Sequence, residues 1–128
     1  MPRKLITSGS YLEAEIGFSR AVRVGQLISV ARTAPIAAAG CTASPGDIYR
    51  QTMRCLEIIG KGVAEAGGTF ANIIRTRIML TDISTWQDAA RVHGEVFRDI
   101  RPACTFVQVS GSIDPLWLVE IEADCVLA

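Results

Sequence analysis

The segment from residue 48 to residue 66 constrains the fold most, because its apolar residues recur every three or four positions with charged residues between them. This spacing predicts an amphipathic helix that buries one face. Asp47 or Ser44 can cap its start, and Gly67-Gly68 can end it. The apolar face of such a helix has to pack against a second layer of structure, so the rest of the chain has to supply that layer.

The second layer is predicted to be a β-sheet. A second helical pattern spans residues 86–100 and stops before Pro102. Short segments rich in β-branched residues predict strands at residues 5–7, 18–24, 27–31, 74–80, 103–109 and 116–126. A tight turn at Gly25-Gln26 joins two of them as a hairpin, and residues 33–46 form a long loop. The sequence therefore predicts one α+β domain over residues 1–128, a mostly antiparallel sheet with two helices on one face.

Charge and motif content exclude several classes of function. Lys plus Arg and Asp plus Glu both total 13, so no net charge attracts nucleic acid or an anionic membrane. No apolar run approaches the roughly 20 residues of a membrane span, and the first residues lack the apolar stretch of a secretory signal. The chain has a single His, and its four cysteines have no CxxC spacing. We therefore expect a soluble cytoplasmic protein with reduced thiols, no metal and no organic cofactor.

Several segments, taken in order, resemble the Rid family (also called YjgF-like or endoribonuclease L-PSP). They begin with Gly17-Phe18-Ser19-Arg20-Ala21-Val22, followed by Gly25 and then Ser29 in the next strand. The later ones are Gln51, Ala66-Gly67, Ile74-Arg75-Thr76-Arg77, Leu80-Thr81-Asp82, Phe97, Arg101-Pro102-Ala103 and Val119-Glu120-Ile121-Glu122-Ala123. No single segment is specific, but the ordered set covers nearly the whole chain.

The resemblance implies a homotrimer with a chorismate-mutase-like fold and ligand clefts between subunits. It also implies hydrolysis of reactive enamines and imines to 2-keto acids and ammonia. In the family an Arg directly after Pro-Ala binds the substrate carboxylate, and a Glu in the last strand positions water. Glu120 matches that Glu and is the predicted catalytic residue, whereas Cys104 stands where the Arg is expected. A thiol cannot form the two charged hydrogen bonds of a guanidinium, so the sequence predicts a branch of the family that lacks this Arg.

Five residues are candidates for substrate binding, and four of them, all except Phe18, have a simpler alternative. Phe18 replaces the Tyr of the early family motif, and His93 lies where typical members offer an aromatic residue of the second helix. Arg32 would supply a replacement cation or else be a solvated surface residue. Ser29 would offer its hydroxyl or be an ordinary strand serine, and Cys104 would be a nucleophile or a small packing residue.

The remaining alternatives for His93 and Glu120 are equally plain. His93 could be a core or interface histidine, and Glu120 could belong to the solvated face of an edge strand.

Three functions follow from these candidates. The first is hydrolysis of a small imine or enamine, the second is a non-catalytic small-molecule sensor in the same clefts, and the third is ribonuclease activity. Zero net charge and a single His argue against the third.

Overall fold

The computed structural model describes residues 2–128 and shows a six-stranded mixed sheet with helices on one side. The strands are β1 (Arg3–Ile6), β2 (Ala21–Val24), β3 (Leu27–Thr33), β4 (Ile73–Leu80), β5 (Ala103–Gln108) and β6 (Val119–Val126). The helices are α1 (Tyr11–Ile16), α2 (Ile48–Glu65) and α3 (Trp86–Phe97), with short 3₁₀ turns at Phe70–Asn72 and Ile83–Thr85. Among residues 2–128, no helix has both the length and the apolar character to cross a membrane.

The strand order across the sheet is β1-β2-β3-β6-β4-β5. Four of these neighbouring pairs are antiparallel, and β4 and β5 are parallel because α3 connects them as a crossover. The prediction of a mostly antiparallel α+β sheet with two helices on one face is confirmed. The last strand β6 lies between β3 and β4, so it is a central strand and not an edge.

The two faces of the sheet differ because side chains alternate along each strand. One face carries the apolar core and packs against α2 and α3, with its central side chains almost fully buried: Ile28, Val30, Ile78, Leu80, Val119, Ile121 and Ala123. The opposite face, here called the open face, has no helix over it. The alternation places on the open face the polar side chains of β3, β4 and β6: Ser29, Arg75, Arg77, Glu120, Glu122 and Asp124.

Helix α1 departs from the sequence prediction, which placed no helix before the first hairpin. The Ser10 hydroxyl accepts a hydrogen bond from the Leu12 N–H and caps the helix, and Gly17 ends it with a left-handed φ of 89°. Glu13 turns back toward the preceding loop and accepts hydrogen bonds from the Ser8 N–H at 3.1 Å and the Ser8 hydroxyl at 2.6 Å. Residues 18–20, predicted as strand, are the connection from α1 to β2.

Candidate active site around Glu120

Glu120 lies on β6, near the middle of the sheet, and is only 7% exposed. Its carboxylate forms an ion pair with Arg32, whose Nε lies 3.3 Å from Oε1. The Arg32 side chain remains 40% exposed. This placement contradicts the alternative that Glu120 is a solvated residue of an edge strand. Arg32 is an exposed residue, as its alternative stated, but it is also paired with Glu120.

A bulge in β3 directs Arg32 toward Glu120. Val30 pairs with Ala123 and Thr33 pairs with Ile121, so two β3 residues lie opposite a single residue of β6. An extra residue of this kind shifts the side-chain alternation and bends the strand. The bulge lets Arg32 reach along the open face while Thr33 stays buried against the core side.

Arg20 supports this bulge from the helix-covered side. Its Nη1 donates to the Arg32 carbonyl at 3.0 Å and to the Thr33 hydroxyl at 3.0 Å. Burial lowers the pKa of Arg20, and the charges of Glu13 and Glu120 oppose that shift. The sequence analysis did not identify Arg20 as a functional residue. The position of Arg20 directly before Ala21, a buried strand residue, indicates that Arg20 is not a simple surface group.

A row of acidic side chains runs along β6 on the open face, and each has a partner. Glu122 forms an ion pair with Arg77 of β4. The Ser29 hydroxyl donates to Asp124 at 3.3 Å. Ser29 therefore lies on the same face as Glu120, but its partner Asp124 is four residues farther along β6.

Phe18 and Ser29, two of the predicted binding residues, share one shallow depression with Val22 at the hairpin end of the open face. The Phe18 ring also lies 5.4 Å from the Arg20 guanidinium carbon, a distance at which a cation–π contact forms. Phe18 thus links this depression to the arginine that supports the β3 bulge.

Cys104 and His93 lie together on the helix-covered side of the sheet edge. Cys104 is opposite Thr76 in the parallel β4–β5 pair. The Thr76 hydroxyl and His93 Nε2 are 2.9 Å apart, and the His93 ring packs against the Phe97 ring at 4.5 Å. Cys104 and His93 are therefore connected through Thr76.

The protonation states of this pair disfavour a thiolate. Burial raises the pKa of Cys104, although a hydrogen bond with Thr76 opposes the shift. Burial also lowers the pKa of His93. A protonated thiol beside a neutral imidazole lacks the positive neighbour that activates nucleophilic cysteines. These shifts favour the binding or packing alternatives for Cys104 over the nucleophile.

The predicted residues thus form three groups within one subunit. Glu120 and Arg32 are in contact, Cys104 and His93 are linked through Thr76, and Phe18 lies with Ser29. The strand register separates Cys104 from Glu120, since Cys104 lies in the row of Ala123, three residues along β6, and on the other face. One subunit alone therefore does not bring all six residues to one cleft.

Metal-ligating clusters are absent from the part of the chain that the structure describes, residues 2–128: no three side chains of His, Cys, Asp or Glu come together there. The four cysteines, Cys41, Cys55, Cys104 and Cys125, are free thiols. The cytoplasmic location stays a prediction.

A family model and a solved structure match this chain over nearly its whole length. The family model described as Endoribonuclease L-PSP matches residues 8–127. A crystal structure of a Mycobacterium tuberculosis member of the YjgF/YER057c/UK114 family is 42% identical, with a TM-score of 0.89, and the match covers 98% of this chain and 100% of that one.

Two curated relatives extend the comparison. A protein of Streptomyces coelicolor is 34% identical over 119 residues, which is 93% of this chain and 88% of the relative. The 2-iminobutanoate/2-iminopropanoate deaminase of Bos taurus is 27% identical over 121 residues, or 94% of this chain and 88% of the relative.

Proposed function

Since this chain belongs to the endoribonuclease L-PSP (Rid/YjgF) family, we propose that it binds a small reactive metabolite beside Glu120 and hydrolyses an imine or enamine. The observation that carries this proposal is the largely buried Glu120 carboxylate in contact with a half-exposed arginine, Arg32. The name of the bovine relative, an iminobutanoate and iminopropanoate deaminase, is consistent with this chemistry at 27% identity.

Glu120 acts as the group that orients and deprotonates water. The water oxygen forms a bond to the imine carbon while its proton moves to the carboxylate, and the C=N π electrons move to nitrogen. Glu120 then returns the proton to nitrogen. The carboxylate next takes the proton of the new hydroxyl and passes it to the amino nitrogen. The carbon–nitrogen bond then breaks, ammonia leaves, and the oxygen becomes the carbonyl oxygen. The reaction consumes one imine and one water and gives one carbonyl compound and one ammonia, with no cofactor.

Arg32 binds the substrate carboxylate, a role that the thiol of Cys104 cannot perform. Its Nε faces Glu120, and within residues 2–128 its two terminal nitrogens have no hydrogen-bond partner. A guanidinium with its terminal N–H groups free binds a carboxylate through two parallel hydrogen bonds. A 2-imino acid bound in this way has its C=N carbon one bond from the held carboxylate and therefore close to Glu120.

The complete site is proposed to form between the subunits of a homotrimer. The open face has no covering layer, and apolar side chains lie exposed at its hairpin end, Leu5 at 62% and Leu27 at 60%. Uncovered apolar surface of this kind is typical of subunit contacts. A contact between copies would allow Cys104 and His93 of one subunit to face Glu120 and Arg32 of another, which one subunit alone does not allow.

The test uses imino acids that an amino-acid oxidase generates in the reaction mixture, with the loss of imine followed by semicarbazone formation. Wild-type protein should speed the loss of imine, and Glu120→Gln should abolish the effect. Arg32→Gln should raise KM for imino acids but leave hydrolysis of an imine without a carboxylate unchanged. Glu122→Gln is the matched control, because it removes a neighbouring carboxylate that pairs with Arg77 instead. If wild type and Glu120→Gln give the same rate, the proposal is wrong.

A second candidate, a non-catalytic sensor that binds the same class of metabolite, rests on the Arg32–Glu120 ion pair itself. A carboxylate oxygen that is already paired with a guanidinium is less free to contact an attacking water. A sensor would show ligand-induced thermal stabilisation without any turnover. Ribonuclease activity is the third alternative, and RNA binding that weakens steeply with salt would support it.

A further inference from the structure

A cavity of about 250 Å³ lies away from Glu120, between the loop that follows β3, helix α2 and the segment that leads into α1. It is contained within one subunit. Its polar wall includes Arg20 and Arg54, and its apolar wall includes Ile36, Ala38 and Ile58. The imine hydrolysis proposed above uses none of these side chains.

Arg20 lines this cavity and has one nitrogen without a hydrogen-bond partner. Its Nε donates to the Ser8 hydroxyl at 3.3 Å, and its Nη1 donates to the Arg32 carbonyl and the Thr33 hydroxyl. Within residues 2–128 its second terminal nitrogen, Nη2, has no partner, and no fully buried side-chain nitrogen lacks one. Nη2 is therefore in contact with open space although the residue is only 6% exposed. Arg20 lines this cavity and also the smaller pocket beside it, which Thr7 and Gly62 line as well.

Arg54 adds a second guanidinium held in a fixed position. Its Nε donates to the Ile36 carbonyl at 2.7 Å, which ties α2 to the loop, and its Nη1 reaches Glu57 at 3.4 Å. Glu57 lines the smaller pocket beside this cavity and not the cavity itself, and Glu13 contacts Arg20 only through Ser8. Among residues 2–128, the wall of this cavity therefore includes two guanidinium groups and no carboxylate.

The size and the apolar wall define the ligand. An apolar cavity of about 150 Å³ holds a benzene-sized molecule, so a cavity of about 250 Å³ has room for a ligand of roughly six to ten heavy atoms. Ile36, Ala38 and Ile58 give the same wall an aliphatic part. Because a planar guanidinium matches a carboxylate and the remaining wall is aliphatic, the fitting ligand has one carboxylate and a short hydrocarbon tail.

We propose that this cavity is a second binding site, specific for a short aliphatic monocarboxylate, with Arg20 and Arg54 as its cationic contacts. It does not depend on the proposed hydrolysis, because Glu120 and the Arg32 side chain are not part of its wall. The contact from Arg20 to the Arg32 carbonyl places this site one hydrogen bond from the β3 bulge.

Calorimetric titration of the full chain with butanoate, and with butanamide as the uncharged isostere, tests the proposal. Butanoate should bind and butanamide should bind at least about tenfold more weakly, since a charge-assisted hydrogen bond is lost. Arg54→Gln should weaken butanoate binding by about tenfold, and Ala38→Phe should block it by filling the cavity mouth at an exposed position. The matched control is Arg50→Gln, which changes an arginine one turn earlier on α2 that does not line the cavity.

Two further variants separate this site from the Glu120 site. Butanoate binding should be unchanged in Glu120→Gln and in Arg32→Gln. The proposal is overturned if butanamide or inorganic phosphate binds as well as butanoate, or if Arg54→Gln and Arg50→Gln bind it equally. It is also overturned if binding is lost in Arg32→Gln and retained in Arg54→Gln, because butanoate would then occupy the Glu120 site.

Discussion

Replacing Gln51 by Met should destabilise the protein strongly, because this fully buried side chain joins three parts of the fold. Gln51 lies on α2, and its Nε2 donates to the Leu116 carbonyl at 2.9 Å and to the Ala43 carbonyl at 3.3 Å. Its Oε1 accepts from the Leu118 N–H at 3.0 Å. Met has a similar length and volume, so the substitution removes the hydrogen bonds without creating a large cavity.

The size of the effect follows from the groups left behind. A buried N–H without a partner costs about 1–3 kcal/mol, and the N–H of the partly buried Leu118 falls in the lower part of that range. The carbonyls of Ala43 and Leu116 belong to residues that are partly or largely exposed, so each loses only the net value of a hydrogen bond, about 0.5–1.5 kcal/mol. Part of the sum is offset by the more favourable burial of Met. The expected loss in the free energy of unfolding is about 2–4 kcal/mol.

Equilibrium unfolding in urea, at fixed protein concentration, measures this loss. Gln87→Met is the matched control, because Gln87 is exposed on α3. The control should change stability by no more than about 0.5 kcal/mol. A Gln51→Met protein within about 0.5 kcal/mol of wild type, with an unchanged urea dependence, would refute the reasoning. It would mean that water replaces all three hydrogen bonds.

Three other outcomes are expected. Gly62→Ala should stabilise the protein by up to about 1 kcal/mol in urea unfolding, because an added Cβ meets only Arg20 Cγ, at 3.7 Å. Gly60→Ala should destabilise the protein by about 1–3 kcal/mol, because its Cβ would lie 2.7 Å from the Phe70 ring. Burial lowers the pKa of His93, so the imidazole of the unfolded chain takes up a proton at higher pH than that of the folded protein. The free energy of unfolding should therefore fall as the pH drops below about 6.5. His93→Gln should show a weaker pH dependence of stability between about pH 5 and 7. Burial raises the pKa of Cys104, so iodoacetamide at about pH 8 should alkylate Cys104 more slowly than it alkylates the cysteine of an unstructured peptide. Mass spectrometry measures both rates. Faster alkylation of Cys104 would show that its thiolate is stabilised and would contradict this prediction.

The sequence predicted the parts of the fold that have a long periodic pattern. Residues 48–66 and 86–100 were expected as helices, and α2 and α3 occupy Ile48–Glu65 and Trp86–Phe97. Helix α1 was missed because six residues are too few for a helical period to be distinguished. Its signal was local: Ser10 followed three residues later by Glu13 is the pattern of a capping box, although Glu13 binds Ser8 instead.

The start of β6 was predicted three residues too early. A turn in which the Trp117 N–H donates to the Asp114 carbonyl delays the strand until Val119. Turn chemistry of this kind depends on a few local hydrogen bonds, so a pattern of apolar residues does not reveal it. The buried part of the strand, which contains Glu120, was placed correctly.

The contact between Arg32 and Glu120 was beyond the reach of sequence because it depends on one extra residue in β3. Without the bulge between Val30 and Thr33, strict alternation would turn Arg32 to the helix-covered face, where an unpaired guanidinium is costly. The family resemblance identified Glu120 and the missing arginine at Cys104. Arg32 was also named from the sequence as a candidate replacement cation, but its contact with Glu120 required the strand register.

A cation on β3 in place of one on β5 has a chemical consequence for the proposed reaction. An arginine at the position of Cys104 would lie two strands away from Glu120 and on the other face, so within one subunit it could not contact that carboxylate. Arg32 contacts it directly through Nε, which leaves the two terminal nitrogens of the guanidinium for a substrate carboxylate. Substrate binding would then hold the imine carbon beside Glu120 without breaking the ion pair. On this mechanism Arg32 acts by binding the carboxylate, so its loss should raise KM for imino acids and leave imines without a carboxylate unaffected.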